Sequence, residues 1–303
     1  VTRRYFFDRP RADAPPLGYP PDPARIPDDW TVWALGDVHG VASGLQEALE
    51  EAGLIDGRGV WAGGSKVALI GLGDYIDRGR DSAGVIDLFR VLELEMAAAG
   101  SRLVLVRGNH EQMLADILRG QDEWFESWAA NGGHALARSY GLPGALASAR
   151  SFADSLFDRA PFLLEWLLAT VAYARWRDVI FVHAGLPDGA TPGSLLEDDR
   201  QLWDPDAAFF SGAGLAFEPG LAGFRTEGLQ RVVIGHYPQD GGPTVEHGGT
   251  LLLLDTDAAG TVSRAGAVAA SFLTLAQIPP DRGFETAKLV MVNTSDAPDR
   301  APE

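Results

Sequence analysis

Three short segments set acidic or amide side chains beside glycine: Gly36-Asp37-Val38-His39-Gly40, Gly73-Asp74-Tyr75-Ile76-Asp77-Arg78-Gly79 and Gly108-Asn109-His110-Glu111. Each follows an apolar run of strand length, over residues 32–35, 67–72 and 103–106. Two more histidines arrive the same way, His183 after residues 179–182 and His236 after 232–235. Oxygen and imidazole donors delivered at the ends of successive strands are what a pair of divalent cations needs. One Gly-Asp-x-His-Gly alone reads as a turn, and one histidine after a strand reads as a satisfied core residue. Five such segments, using four of the six histidines, are what make ligation the better reading.

A bridged ion pair needs one shared carboxylate, ligands on either side, and open positions for water and phosphate. Asp37 and His39 stand two apart, so both can reach one ion from an extended loop. Asp74 is the natural bridge, Asn109 offers a neutral carbonyl oxygen, and His183 and His236 can complete the second ion. A water between two such cations becomes an in-line nucleophile for phosphate esters. His110, next to Asn109, suits the general acid that protonates the leaving alkoxide, with Asp77 holding its ring. Arg78 and Arg107 flank the motifs, and guanidinium forks match phosphate geometry. His134 reads as a surface or helix-start residue and His247 as part of a hairpin turn. Tyr75 and Trp203 are the aromatics that could stack a nucleoside; Trp124, Trp128, Trp166 and Trp176 read as core of a lid.

The elements that must carry these residues alternate. Residues 43–52 place Leu45, Ala48, Leu49 and Ala52 on one helical face, residues 82–98 do the same with Val85, Ile86, Leu88, Phe89 and Leu92, and a third helix runs from 111 to about 118. Strand–helix alternation means βαβ units and a mostly parallel sheet. Residues 121–175, rich in Trp, Phe, Leu and Ala, read as a helical insertion over one side of the site, a lid. Residues 251–254 and 265–275 look like strands again, and two sheets with helices outside accommodate both sets. Three units are expected: a Pro-rich extended arm over 1–30 without regular elements, one domain over 31–282, and a polar, frayed tail over 283–303.

The bulk numbers narrow the chemistry. Among 303 residues there is no cysteine, so disulfides and thiolate metal sites are excluded and the ligands must be Asp, Asn, His or Glu. That donor set suits Mn, Fe, Zn or Mg. A net charge of −17 with no dense basic patch argues against a nucleic-acid partner. No run is long enough to span a bilayer and the first residues do not form a secretory signal, so the expectation is a cytoplasmic protein without a membrane partner.

The five motifs together resemble the calcineurin-like metallophosphoesterases, and more narrowly the phosphoprotein phosphatases. The matches fall at residues 36–40, 73–79, 108–111, 183–185 and 235–236, within a resemblance spanning about 31–257. Residues 107–113 and Asn131-Gly132-Gly133 are similar to the bacterial and phage-lambda-type protein phosphatases, whereas residues 53–64 are similar to the Shewanella-like branch; both branches stay open. The resemblance implies an α/β, four-layer fold: a central β-sandwich of two mixed sheets flanked by helices. It implies two divalent ions, Mn first and Fe or Zn next, with Asp37 and His39 on one, Asn109, His183 and His236 on the other and Asp74 shared. It implies His110 as acid with Asp77, and Arg78 and Arg107 on the phosphate. Lambda-type members carry an arginine shortly after a tryptophan where this chain has Trp203-Asp204-Pro205-Asp206, and Arg225 is the candidate to replace it. The implied activity is a phosphomonoesterase, foremost a protein serine/threonine phosphatase whose partner is a phosphorylated protein or peptide. The alternatives are a dinucleoside tetraphosphate hydrolase acting on a nucleotide or other small phosphate ester, against which His39 argues, and an inactive binding module, against which the complete ligand set argues.

Overall fold

A computed structural model describes residues 23–187, 190–196, 202–203, 217–225, 227–260 and 270–299. Its strands are β1 (Ala24–Ile26), β2 (Thr31–Leu35), β3 (Val67–Gly71), β4 (Arg102–Leu105), β5 (Ala174–Trp176), β6 (Val179–Phe181), β7 (Arg231–Ile234), β8 (Thr244–Glu246), β9 (Leu251–Leu253), β10 (Phe272–Gln277) and β11 (Lys288–Asn293). They form a five-stranded sheet in the order β11-β10-β2-β3-β4 and a six-stranded sheet in the order β1-β5-β6-β7-β9-β8. Both are mixed. In the first, β2, β3 and β4 run parallel and β10 and β11 antiparallel; in the second, β6, β7 and β9 run parallel.

The apolar runs lack polar alternation because both faces of each sheet are covered. On β2, Val32 and Ala34 point into the space between the sheets while Trp33 and Leu35 point to the helices outside. On β6, Val179 and Phe181 face inward and Ile180 faces out. The outer layer of the five-stranded sheet is made by α1 (Ala42–Glu51), α2 (Ser82–Ala98) and α3 (Asn109–Leu118). On the other side, Leu221 and Phe224 of α8 (Phe217–Arg225) join the cluster that covers the six-stranded sheet. The result is the expected α/β arrangement of two mixed sheets flanked by helices.

Between α3 and β5 lie only helices: a 3-10 turn at Asp122–Trp124, α4 (Phe125–Trp128), a π turn at Ala129–Gly133, α5 (His134–Ser139), α6 (Ala149–Arg159) and α7 (Leu163–Leu168). Trp128 is in the core these helices share with α3, whereas Trp176 is on β5 inside the sandwich rather than in the insertion.

Both ends depart from the sequence reading. Residues 24–26, between Pro23 and Pro27, form β1 at a sheet edge, paired in parallel with β5; three residues free of proline suffice there. Residues 288–293 form β11, paired along its whole length with β10. Leu289, Val290, Met291 and Val292 outweigh the polar residues around them, and Val290 and Val292 reach the core. Residues 1–22 of the expected arm, part of the strand expected over 265–275, the Asp204–Asp206 part of the tryptophan segment and residues 300–303 lie outside the described residues.

Candidate metal centre

The parallel strands of both sheets end on one side, and their following loops carry the site. After β2 come Asp37 and His39; after β3, Asp74, Asp77 and Arg78; after β4, Asn109 and His110; after β6, His183; after β7, His236. Ligands outside the carboxyl ends of parallel strands are the general rule for open α/β sheets. The loops are hydrogen-bonded to one another: the N–H groups of Val38 and His39 both donate to the Asp74 carbonyl (3.1 and 2.9 Å), and Gly79 N–H donates to His39 O (2.8 Å). His39, Asp74, Asp77, Arg78 and His236 all have positive φ, between 45° and 71°. Such backbone is costly outside glycine and persists where surrounding contacts over-determine it, as at functional sites. Gly108 is required for close approach: a Cβ there would strike the Asp74 carboxylate.

Two groups of donor atoms converge, His39–Asp74–His110 and Asp74–His183–His236, with the atoms of each group within 4.8 Å of one another. Asp74 is common to both. The tautomers suit ligation. His39 donates from Nδ1 to Ile76 O (3.0 Å), which leaves the Nε2 lone pair free; that atom is buried without a hydrogen-bond partner, 3.5 Å from Asp74 Oδ2. His183 donates from Nδ1 to Leu72 O (2.8 Å), so its Nε2 is also a lone pair, 3.1 Å from His236 Nδ1 and 3.4 Å from Asp74 Oδ1. Asn109 Oδ1 lies 3.0 Å from the same His183 Nε2. His183 Nε2, His236 Nδ1 and both Asp74 oxygens surround the amide at 3.0–3.2 Å, all as acceptors. Such a ring is satisfied either by the amide turned to present its nitrogen or, with the oxygen as placed, by a cation among the acceptors. The orphaned His39 Nε2 and this ring of lone pairs therefore fit a pair of divalent metal ions.

The electrostatics agree. Burial pushes His39 well below the usual imidazole range, and the Arg78 charge adds to this. Burial also lowers His183, and burial with neighbouring His183 brings His236 down to about 3. All three are neutral at pH 7, the form in which an imidazole can ligate a metal. Burial, together with the charges of Asp255 and Asp74, raises Asp37 well above the carboxylate range. Metal cations at this point relieve that repulsion.

His110 behaves differently. Burial disfavours its imidazolium, but the charge of Asp74 and the hydrogen bond from Nδ1 to Asp77 Oδ2 (2.7 Å) outweigh it and raise its pKa. Its charged form is thus favoured where that of the other three is disfavoured. Arg78 acts electrostatically on Asp37, His39, His110, His183 and His236, which places its charge over the cluster.

One expected phosphate ligand, Arg107, is committed elsewhere among the described residues. Arg107 is fully buried, and most of its donors serve the insertion: Nε to Thr170 Oγ1 (2.9 Å) and Nη2 to the carbonyls of Thr170 (3.2 Å), Leu167 and Leu168 (both 3.4 Å), while Nη1 donates to Gln112 Oε1 on α3 (3.0 Å). The α7 C-terminus exposes orphan carbonyls, and a buried guanidinium fork is well shaped to collect them. Arg225 is exposed in the last turn of α8, whose buried residues pack on the outer face of the six-stranded sheet. Tyr75 is no stacking platform either: it is buried, with its hydroxyl donating to Val106 O (2.7 Å). Trp203 already has a face covered, by Trp124 (5.5 Å, 16° between planes). His134 is the exposed first residue of α5, and His247 lies in the turn between β8 and β9.

Other residues emerge only from the structure. Trp128 Nε1 donates to Asp77 Oδ2 (2.9 Å), so the insertion helps hold the carboxylate that holds His110. Gly132 O accepts from Arg78 N–H (3.1 Å), which gives the Asn131-Gly132-Gly133 turn its place under the arginine. Glu111 accepts the N–H groups of Asp74, Tyr75 and Gly108 (2.8, 2.9 and 3.0 Å) and so ties two ligand loops together. Burial and the Asp74 charge push its carboxyl up to about 8, against the pull of those donors. Asp255, buried just after β9, is raised to about 7 by burial and acts on Asp37.

Residues 31–249 match the calcineurin-like phosphoesterase family. The Salmonella typhimurium serine/threonine-protein phosphatase 1 is 34% identical over 186 residues, 61% of this chain and 73% of that protein. The Arabidopsis thaliana Shewanella-like protein phosphatase 2 is 34% identical over 101 residues, and the match spans 32% of this chain but only 26% of that protein. The crystal structure of a cold-active protein-tyrosine phosphatase of a psychrophilic Shewanella species superposes with a TM-score of 0.57 at 19% identity, covering 90% of this chain and 83% of that one. A putative diadenosine tetraphosphatase superposes at 0.53 with 17% identity, covering 89% and 96%.

Proposed function

Because the chain belongs to the calcineurin-like phosphoesterase family, we propose that it is a metal-dependent phosphomonoesterase that removes phosphate from phosphoserine or phosphothreonine in proteins. The observation that carries this reading is geometric: two groups of buried donor atoms converge on Asp74, with the His39 Nε2 unpartnered, and His110 among them is committed through Nδ1 to Asp77. Asp37, His39 and Asp74 would hold one divalent ion and Asp74, Asn109, His183 and His236 the other. Such a pair supplies charge neutralisation at the phosphoryl oxygens and a water of lowered pKa. Manganese is the metal we assign first, since oxygen and imidazole donors without thiolate suit it.

The protein's own residues do the rest. Arg78 presents its guanidinium to the phosphoryl group, in the bidentate manner that arginine allows. Water adds to phosphorus, the bond from phosphorus to the serine or threonine oxygen breaks, and the departing alkoxide takes a proton from His110 Nε2. Asp77, gripped by Trp128, keeps the His110 ring in place and steadies its positive charge. The names of the Salmonella and Arabidopsis relatives favour a phosphoprotein substrate. So does the covering of Tyr75 and Trp203, the two aromatics that a dinucleotide could have stacked on.

The test is phosphate release by manganese-loaded protein from a phosphoserine/phosphothreonine peptide and from diadenosine tetraphosphate at matched concentrations. A higher kcat/KM on the peptide is expected. Preference for the dinucleotide would move the chain to nucleotide hydrolysis, and no turnover of either would overturn both substrate readings and leave the class of phosphate ester open.

A further inference from the structure

We propose that Asp299 is a positioning residue of the metal centre, acting through a strap formed by residues 294–299; this rests on the metal-site reading above. Helix α1 begins directly after the His39-Gly40 loop, yet its N-cap, Val41, makes no side-chain cap bond and its first turn holds no acidic residue. The first N–H groups of a helix need acceptors, and a carboxylate also complements the helix dipole. Asp299, 256 residues downstream of Ser43, supplies both. Its Oδ2 accepts Ser43 N–H (2.7 Å) and its Oδ1 accepts the Ser43 hydroxyl (2.5 Å). Its backbone carbonyl accepts the N–H of Arg80 (2.6 Å), the second residue after Arg78.

The strap therefore touches the helix that opens directly after the His39 loop and the loop that carries Asp74, Asp77 and Arg78. Those loops depend on each other through Gly79 N–H to His39 O (2.8 Å) and Asp81 N–H to Gly40 O (2.9 Å). Asp299 closes the open side of that pair. A separate contact agrees. Gly44 stands inside α1, where glycine weakens a helix, and a Cβ on it would come within 2.7 Å of Thr294 Cγ2. Thr294 is fully buried and anchored, its hydroxyl donating to Ala258 O (2.7 Å) and its N–H to Ser271 O (2.9 Å). The missing side chain at Gly44 is thus explained by the strap lying against the helix.

Partners that orient metal ligands from outside typically change metal affinity by about 10–100-fold when removed. Asp299→Ala is expected to raise the Kd for Mn²⁺, measured directly on stripped protein by calorimetry, about tenfold. Asp299→Asn, which keeps one acceptor, should fall between. Gly44→Ala should also raise the Kd, although alanine is the better helix former, because it displaces Thr294. Thermal unfolding of the stripped variants is read alongside. A lowered Tm with an unchanged Mn²⁺ Kd in Asp299→Ala would reduce the strap to a plain stabilising contact and overturn the proposal. Should that variant fail to fold, an unchanged Kd in both Asp299→Asn and Gly44→Ala would do the same. No phosphatase assay enters, so failure here is distinct from an error in the assigned substrate.

Discussion

His110 sits among the donor atoms that converge on Asp74 yet is bonded like an acid. Its Nδ1 is committed to Asp77 at 2.7 Å, and its Nε2 stands 3.9 Å from Asp74 Oδ2, farther than the corresponding atoms of His39 (3.5 Å) or His183 (3.4 Å, to Oδ1). His110→Asn should therefore lower kcat on an alkyl phosphate about 10²–10⁴-fold, the usual contribution of a general acid. Bound metal, counted by elemental analysis, should stay at the parent level; loss of one ion would make His110 a ligand instead. A substrate with a good leaving group such as p-nitrophenol would hide the acid step, so the alkyl ester is the informative one. The residues of this cluster were legible in the sequence because each follows one short-range rule, an apolar strand ending in polar residues within two positions of a glycine. Asp255 ends the run 251–254 in the same way but has no glycine beside it, so no motif marks it. Trp128 is marked by nothing local, since its partner Asp77 lies 51 positions away.

Among the elements, the two arginines next to the motifs divide their work. Arg107 ties the end of α7 to the β4–α3 junction through hydrogen bonds to Leu167, Leu168 and Thr170, and donates also to Gln112 of α3. Hydrogen bonds from a charged donor are worth about 1.5–3 kcal/mol each, and removing the donor leaves buried carbonyls unsatisfied. Arg107→Ala should thus destabilise the fold on the order of 3 kcal/mol in chemical denaturation, and lysine should not rescue it because a single ammonium cannot copy the fork. Arg78→Ala should show the reverse: a denaturation midpoint near the parent, but kcat/KM down about 10²-fold and weaker inhibition by inorganic phosphate. Equal effects of both substitutions on phosphate inhibition, with no stability loss at Arg107, would restore Arg107 to the substrate. Adjacency to a motif could not separate the two, because a loop's hydrogen-bond demands are decided by the element that packs on it, here α7. The same holds for β11, whose apolar core residues pair with a strand only once β10 is in place.

For the whole molecule, the metal centre is where two sheets and their loops are joined. Asp37 comes from the five-stranded sheet and accepts the His236 N–H of the six-stranded sheet with both oxygens (3.1 Å each). His183 reaches from the six-stranded sheet to Leu72 O behind β3. Ions held by residues from both sheets bind the folded chain and not the unfolded one, so they stabilise by mass action, about 2.7 kcal/mol for one site at 100 times its Kd. For a domain of this size each kcal/mol moves Tm by roughly 2–4 °C. Stripping with a chelator should lower Tm by about 5–10 °C, and Mn²⁺ should restore it in scanning calorimetry. Asp74→Asn should lose most of that response, because the shared carboxylate serves both ions and its loss weakens each. A parent Tm indifferent to chelator, or an Asp74→Asn response equal to the parent's, would mean that the ring of acceptors around Asn109 is satisfied by protons rather than metal. The net charge of −17 sharpens the test: divalent cations attracted to the surface at large would stabilise both proteins alike, and only a site built on Asp74 separates them.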